Sequence, residues 1–282
     1  MKRTISTLAL ALGLLMGAAV IGLNAACIVF DANGPHFLGG QEYKEDFLKI
    51  VPLSAGGSFS LKNTNGVVRV STWAKDEVEI KAVKTARGNK ADLDKVTIEV
   101  VAAAGSVRVE TVYPKLSNLR VSIAYEIKVP ENARLEEVRT TNGDLEFTGR
   151  LADVKAGSTN GDVRVDSATG RCEVGTTNGD IHLTNARGPV NARTTNGGVH
   201  LTLGKIEAEI TAKTTNGSIT LRAAGDLNAE LKARMTNGRI QTDFPITVQG
   251  MVSSKRSLEG KLGTGGPLID LHTTNGSITL GR

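Results

Sequence analysis

The stretch TTNGDIHL, residues 176–183, decides the fold, because its tripeptide Thr-Asn-Gly occurs eight times in this 282-residue chain. The glycines of the eight copies are at positions 66, 143, 161, 179, 197, 217, 238 and 276. From position 143 onward the spacings are 18, 18, 18, 20, 21 and 38 residues, and the last spans about two turns with a degenerate copy at 257–266. A fixed period of this kind indicates a repeat architecture.

The residues that flank each glycine alternate between apolar and polar. In the quoted copy, the apolar positions seven and five before the glycine and two and four after it are Cys172, Val174, Ile181 and Leu183. A period of two is typical of β-strands. The alternation breaks at Asn-Gly, a pair that tolerates the positive φ of tight corners. Each unit is therefore predicted to contain two short strands and two corners.

The predicted fold class is all-β, a β-solenoid or β-helix with turns of about 18 residues. Equivalent strands would pair about 4.8 Å apart in two or three parallel sheets around a narrow aliphatic core. A meander of antiparallel hairpins is the rival arrangement, since Asn-Gly also favours type I′ hairpin turns. The regular spacing favours stacking, because hairpins do not require every copy to be in phase.

The asparagines of the repeat form a column with the same parity as the core residues. We therefore predict that they point inward and hydrogen-bond along the stack, since buried polar groups need partners. The column contains Asn142, Asn160, Asn178, Asn196, Asn216, Asn237 and Asn275.

The N-terminal residues 1–26 are predicted to be a signal peptide. Lys2 and Arg3 precede an apolar stretch, and small residues precede Cys27. LNAAC resembles a lipobox, which would lipidate Cys27, although Asn24 stands where Leu is usual. Ordinary cleavage after an alanine and an uncleaved anchor over the uncharged residues 8–30 are the alternatives. In each case the chain is expected to be exported to the bacterial cell envelope, either the periplasm or the outer surface.

The rest of the chain divides into three segments by pattern. Residues 27–45 contain Gly, Pro and mixed polarity and are predicted to be a linker. Residues 46–135 alternate like strands but lack the 18-residue period, so they are predicted to be an irregular β-rich opening and cap region. Residues 136–282 are the regular repeat region.

The order of these segments resembles a known family. A leader is followed by NTNGVVRV (63–70), a β-rich region that ends in YEIKVPENARL (125–135), and serial TTNGDI copies. Over roughly residues 50–282 the chain is similar to the bacterial putative-adhesin family of β-strand-repeat envelope proteins, whose biochemical function is undefined. The resemblance implies a β-solenoid and an envelope location. It implies no mechanism, because it is a fold-level analogy.

The charge and the cysteine content argue against a nucleic-acid-binding domain and against a disulfide-stabilised fold. The net charge is +5 and falls to +3 without Lys2 and Arg3, which is too mild for a nucleic-acid-binding domain. One of the two cysteines lies beside the leader, so no disulfide framework is expected. Cys172 falls in a core position and is interpreted as a small buried hydrophobe.

An outward column four residues before the glycine is the best candidate binding feature. It contains Arg193, Lys213, Arg234 and His272. Stacking would make this column a basic stripe suited to anionic envelope polymers, lipid headgroups or an envelope protein. The alternative is an ordinary solvated face, because acidic residues lie nearby.

Metal and enzyme chemistry are not predicted. His182 and His200 share an outward column on consecutive turns, but Arg164 and Thr220 beside them complete no ligand set. Asp144, Asp162 and Asp180 stack at the corner, where a cation is possible but Asp is also common. No cofactor is expected, and no nucleophile elbow, P-loop or zinc signature is visible.

The sequence therefore predicts a non-catalytic envelope scaffold for adhesion or partner binding. A membrane-tethered accessory protein in envelope-stress sensing is the alternative, and a polysaccharide-active β-helix enzyme is the third possibility. The chain ends in GSITLGR (276–282), a strand whose open edge is predicted to allow self-association.

Overall fold

The computed structural model describes residues 21–23, 26–31, 34–38, 41–115, 119–225, 227–248 and 256–282. Most of the predicted leader, residues 1–26, lies outside these ranges. Strands β1 (Ile21–Leu23), β2 (Ala26–Asp31) and β3 (Gly34–Leu38) form a small antiparallel sheet. Strands thus occupy most of the described part of residues 27–45, and the linker assignment remains a prediction. Their β-branched and aromatic residues favour strands more than the intervening Gly and Pro oppose them.

The remaining strands form two large sheets. In chain order they are β4 (Glu42–Pro52), β5 (Ser58–Lys62), β6 (Val68–Trp73), β7 (Glu77–Arg87), β8 (Thr97–Ala103), β9 (Ser106–Val112), β10 (Val121–Pro130), β11 (Arg134–Asn142), β12 (Leu145–Thr148), β13 (Val154–Asn160), β14 (Val163–Asp166), β15 (Cys172–Gly175), β16 (Ile181–Thr184), β17 (Val190–Arg193), β18 (Val199–Leu203), β19 (Ile210–Asn216), β20 (Ile219–Ala223), β21 (Ala229–Asn237), β22 (Ile240–Thr242), β23 (Ile246–Thr247), β24 (Ser257–Leu262), β25 (Leu268–Asn275) and β26 (Ile278–Gly281). Sheet I has the spatial order β22-β26-β20-β18-β16-β14-β12-β6-β10-β7-β4. Sheet II has the order β23-β24-β21-β25-β19-β17-β15-β13-β11-β5-β9-β8.

Strands of successive repeats pair in parallel and in register through the centre of both sheets. In sheet I, Val163 pairs with Ile181, and Ile181 pairs with Val199, so partners lie 18 residues apart. These side chains are buried and face the core, as the apolar alternation predicts. The all-β prediction is confirmed, and the antiparallel meander is excluded for this part of the chain.

The region before the regular repeats closes one end of the stack with longer antiparallel strands. In sheet I, β7 pairs with both β4 and β10 in antiparallel fashion, and in sheet II β8 pairs with β9 in the same way. Strands β5 and β6 carry the first Thr-Asn-Gly copy between them and pair in parallel with β11 and β12. The first repeat therefore joins the stack directly.

The C-terminal strands lie inside the sheets and not at their edges. Strand β26 lies between β20 and β22, and β25 lies between β19 and β21. The predicted open edge for self-association is therefore wrong. The predicted repeat copy at 257–266 is also wrong, because β24 pairs with β21 in antiparallel fashion. A coil at the chain end has two edges to pair, so it can insert between two coils that are consecutive in sequence.

Each residue of the Thr-Thr-Asn-Gly corner has a distinct structural task. Thr176 is buried, and its hydroxyl donates to the carbonyl oxygen of Gly161 in the preceding turn at 2.9 Å. A Cβ added at Gly179 would lie 2.2 Å from the same carbonyl oxygen, so only glycine fits. The corners of neighbouring turns thus stack backbone on backbone.

The asparagine side chains form a continuous ladder of amide hydrogen bonds along the stack. Asn178 Nδ2 donates to Asn160 Oδ1 at 2.8 Å, and Asn196 Nδ2 donates to Asn178 Oδ1 at the same distance. In spatial order the ladder runs Asn65, Asn142, Asn160, Asn178, Asn196, Asn216, Asn275 and Asn237. Asn65 is half-buried and the seven asparagines of the predicted column are exposed, so the predicted inward orientation is wrong. The chain turns before the asparagine, which places Thr177 and Asn178 both outside.

Replacing the buried threonine of the corner should destabilise the protein more than replacing its exposed neighbour. Thr176→Val leaves the carbonyl oxygen of Gly161 without the hydroxyl donor, and an unsatisfied buried acceptor costs about 1–3 kcal/mol. Thr177→Val makes the same chemical change on the exposed side and should alter the free energy of unfolding by less than about 0.5 kcal/mol. Urea denaturation of both variants measures the difference, and equal effects would contradict this assignment.

Candidate functional site

The four residues predicted as a basic stripe are neighbours on the outer face of sheet II. Arg193 pairs with Lys213, Lys213 pairs with His272, and His272 pairs with Arg234. The spatial order therefore differs from the chain order, because inserted β25 brings His272 between Lys213 and Arg234. The four residues form one unbroken column across strands β17, β19, β25 and β21.

Two of the three permanent cations in the stripe have acidic partners. Lys213 Nζ lies 3.3 Å from an oxygen of Asp270, and Arg234 lies 2.9 Å from Glu259 Oε1. Arg193 Nε donates to the amide oxygen of Asn191 at 3.0 Å. All these pairs are solvent-exposed, so they hold the side chains weakly. Arg193 has a neutral partner there, and its charge is the least compensated of the three.

A groove of about 730 Å³ adjoins Arg193 on the same face. Its floor is the part of the column occupied by Gly157 and Gly175, which pair with each other between Arg139 and Arg193. Three strand spacings separate Arg139 from Arg193, a distance of roughly 14 Å. The side chains that line the groove include four basic and two acidic residues: Lys62, Arg139, Lys155 and Arg193, with Glu137 and Glu173. The groove is thus open, polar and positive in balance.

The repeat alignment alone does not predict this groove, because it does not distinguish Gly157 and Gly175 from other outward-facing residues. A Cβ at Gly157 would lie 3.5 Å from the nearest atom, the carbonyl oxygen of Gly175, so neither crowding nor a left-handed backbone requires glycine there. Glycine in a strand interior often marks a close approach by another group. The sequence does contain this signal, because Gly157 and Gly175 occupy equivalent positions in two neighbouring repeats.

The other outer face, on sheet I, brings two histidines together. His182 on β16 pairs with His200 on β18, and their rings stack with centroids 4.8 Å apart and 13° between planes. Asp180 precedes His182 by two residues, and one ligand atom from each of the three lies within 4.8 Å of the others. Partial burial lowers the pKa of His182, and the nearby His200 and Arg164 lower it further. This imidazole is therefore neutral at lower pH than an ordinary histidine.

The aspartates of the corner column bond to the backbone of the next turn. Asp144 Oδ1 accepts from the amide of Asp162, Asp162 Oδ1 accepts from Asp180, and Asp180 Oδ1 accepts from Gly198 at 2.7 Å. Arg164 also pairs with Asp162 at 2.7 Å. These contacts give Asp144 and Asp162 structural roles without a cation.

The two cysteines lie in different sheets. Cys172 is buried in the core of sheet II, and burial raises the pKa of its thiol to about 12, so it is not a reactive nucleophile. Cys27 lies within β2, and the cleavage and lipidation predictions for it remain predictions. Within the described ranges, no helix has the length and hydropathy needed to cross a membrane.

Comparison with known proteins identifies the fold family. A family model described as Toastrack DUF4097 matches residues 45–281. A comparison with curated proteins finds no match.

Several solved structures are similar over most of the chain. A putative cell adhesion protein from Clostridium sporogenes shares 14% identity over 85% of this chain and 99% of its own, with a TM-score of 0.36. A putative adhesin from Bacteroides fragilis shares 12% identity over 84% and 96%, with a TM-score of 0.41. A putative lipid binding protein from Parabacteroides distasonis shares 11% identity over 83% and 96%, with a TM-score of 0.30. Similarity at this level carries no argument about function.

Proposed function

This chain belongs to the Toastrack DUF4097 family, and from that premise we propose that it is an exported, non-catalytic scaffold that binds an anionic polymer of the cell envelope. The proposed scaffold is a β-solenoid with turns of about 18 residues. The signal peptide directs it to the envelope, and lipidation of Cys27 would tether it to the membrane.

One observation carries the proposal, the basic stripe on the outer face of sheet II. Arg193, Lys213, His272 and Arg234 follow one another on neighbouring strands at the strand spacing of about 4.8 Å. A linear polyanion presents charges at regular intervals, so a linear array of cations can meet several of them at once. A compact anion would contact only one or two members of the array.

The adjoining groove extends the same surface. Gly157 and Gly175 remove two side chains from the column where it continues past Arg193, which leaves room for a chain to lie flat on the backbone. Lys62 and Arg139 then continue the positive charge on the far side. Stripe and groove together form one track along the axis of the stack.

Charge reversal of the stripe should weaken polyanion binding. The triple variant Arg193→Glu, Lys213→Glu, Arg234→Glu is expected to bind dextran sulfate at least about tenfold more weakly than the unmodified full chain, which corresponds to about 1.4 kcal/mol. The loss should shrink as salt is added, since screening weakens exposed ionic contacts. Binding to neutral dextran should be negligible for both proteins.

The matched control reverses three exposed lysines outside the stripe and groove. Lys44→Glu, Lys90→Glu, Lys115→Glu makes the same change in formal net charge, from +5 to −1 by three steps of two. This variant should retain dextran sulfate affinity within about threefold. Equal loss in both triple variants would show that only net charge matters, and no loss in the stripe variant would refute the proposal.

A further inference from the structure

We propose that Asp180, His182 and His200 form a binding site for one first-row divalent transition metal ion, with Zn²⁺ as the reference ion. The site lies on the outer face of sheet I, on strands other than those that carry the basic stripe. It is independent of polyanion binding.

The parallel register is what assembles the ligands. Because β16 and β18 pair in parallel, His182 and His200 occupy equivalent positions and their rings stack at 4.8 Å. Asp180 immediately precedes β16, and both it and His182 are partly exposed on either side of the buried Ile181, so the two side chains share the outer face. One ligand atom from each residue lies within 4.8 Å of the other two.

The separation of these atoms is close to what one metal ion requires. Zinc binds nitrogen and carboxylate oxygen at about 2.0–2.2 Å, so two ligands of one ion lie no more than about 4.4 Å apart. All three side chains are partly exposed, and rotation of the two stacked rings out of their parallel arrangement would turn one nitrogen of each toward a shared ion. The amide of Gly198 donates to Asp180 Oδ1 at 2.7 Å, and such bonds orient carboxylate ligands.

Gly198 provides independent support for the site. The corner column carries aspartate at 144, 162 and 180 and then changes to glycine at 198. A Cβ at Gly198 would lie 2.8 Å from His200 Nε2, whereas its backbone does not lie in the left-handed region that favours glycine. The missing side chain therefore leaves space beside one of the two ring nitrogens of His200.

The ligand types select the class of ion. Two imidazoles and one carboxylate suit Zn²⁺, Cu²⁺ and Ni²⁺, whereas Mg²⁺ and Ca²⁺ prefer sites made entirely of oxygen. Three protein ligands on a partly exposed face leave coordination positions for water or for a ligand from a binding partner.

The test is isothermal titration of the metal-free full chain with Zn²⁺ in a buffer that does not chelate it. We expect one equivalent of Zn²⁺ to bind. His182→Gln and His200→Gln should each weaken this binding at least about tenfold, and the melting temperatures without metal should stay within about 2 °C, since both side chains lie on the surface. His272→Gln is the matched control and should bind as the unmodified chain does.

A second variant tests the role of Gly198 without removing a ligand. Gly198→Ala retains Asp180, His182 and His200 but places a methyl group against His200 Nε2, so it should also weaken Zn²⁺ binding. Absence of one-equivalent binding in the unmodified chain would overturn the proposal. Undiminished binding in both histidine variants, or equal loss in His272→Gln, would overturn it as well.

Discussion

Gly179→Ala should lower the free energy of unfolding by at least about 3 kcal/mol, because the added methyl group has no space. The new Cβ would lie 2.2 Å from the carbonyl oxygen of Gly161 and 2.6 Å from its carbonyl carbon. Those atoms are backbone in a stacked corner, so they cannot rotate away as a side chain would. Gly179 also has φ of 154°, where an alanine is strained.

Gly157→Ala is the matched control for this prediction. It makes the same chemical change within strand β13 of sheet II, away from the corner, and its Cβ would lie 3.5 Å from the nearest atom. Both substitutions restrict the unfolded chain equally, so the difference between them reports the folded corner. We expect Gly157→Ala to change the free energy of unfolding by less than about 1 kcal/mol. Similar losses in urea denaturation of the two variants would contradict the stacked-corner explanation.

The sequence could predict the repeating part of the fold because its physical causes are local. The apolar alternation around Ile181 and Leu183 predicts which side chains are buried, and the structure buries both. The Asn-Gly pair predicts a corner, and the structure has a corner that begins one residue earlier, at Thr177 in the quoted copy. Each unit repeats these signals, so an ambiguous pattern in one copy can be interpreted from the same positions in the other copies.

The orientation of the asparagines could not be read from the same alternation. The two-residue period of a strand, continued from buried Thr176, would place Asn178 inside. The chain already turns at Thr177, so Thr177 and Asn178 are both exposed. A corner changes the side-chain direction at a residue that periodicity cannot identify. The hydrogen-bonded ladder itself depends only on stacking in register, and therefore it forms on the outside as well.

The candidate sites also differ in how much of each could be predicted from the sequence. The basic stripe could be predicted from one column of the repeat alignment, because its members share a position in the repeat. The cluster of Asp180, His182 and His200 draws on two columns, and its space depends on an absent side chain at Gly198. Contacts between columns require the direction of each side chain at the corner, which the sequence alone does not supply.

Crosslinking should distinguish the inserted C-terminal coil from a stack in chain order. Both orders place Lys213, Arg234 and His272 in one outward column, because every coil has the same register. The orders differ only in which of the three are neighbours. In the structure His272 lies between the other two, so Lys213 and Arg234 are two strands apart, about 9.6 Å.

The double variant Lys213→Cys, His272→Cys is expected to form a nearly complete intramolecular disulfide under mild oxidation, since paired strands bring the Cα atoms within the usual range of about 4.4–6.8 Å. Lys213→Cys, Arg234→Cys should form almost none, because Cα atoms more than about 7 Å apart cannot be bridged without backbone movement. Peptide mass mapping under non-reducing conditions identifies the bridged cysteines in both variants, including any bridge to Cys27, and buried Cys172 does not compete. The reverse pattern would show that β21 stacks directly on β19. The end of the chain would then be a free edge, and self-association through it would again be physically reasonable.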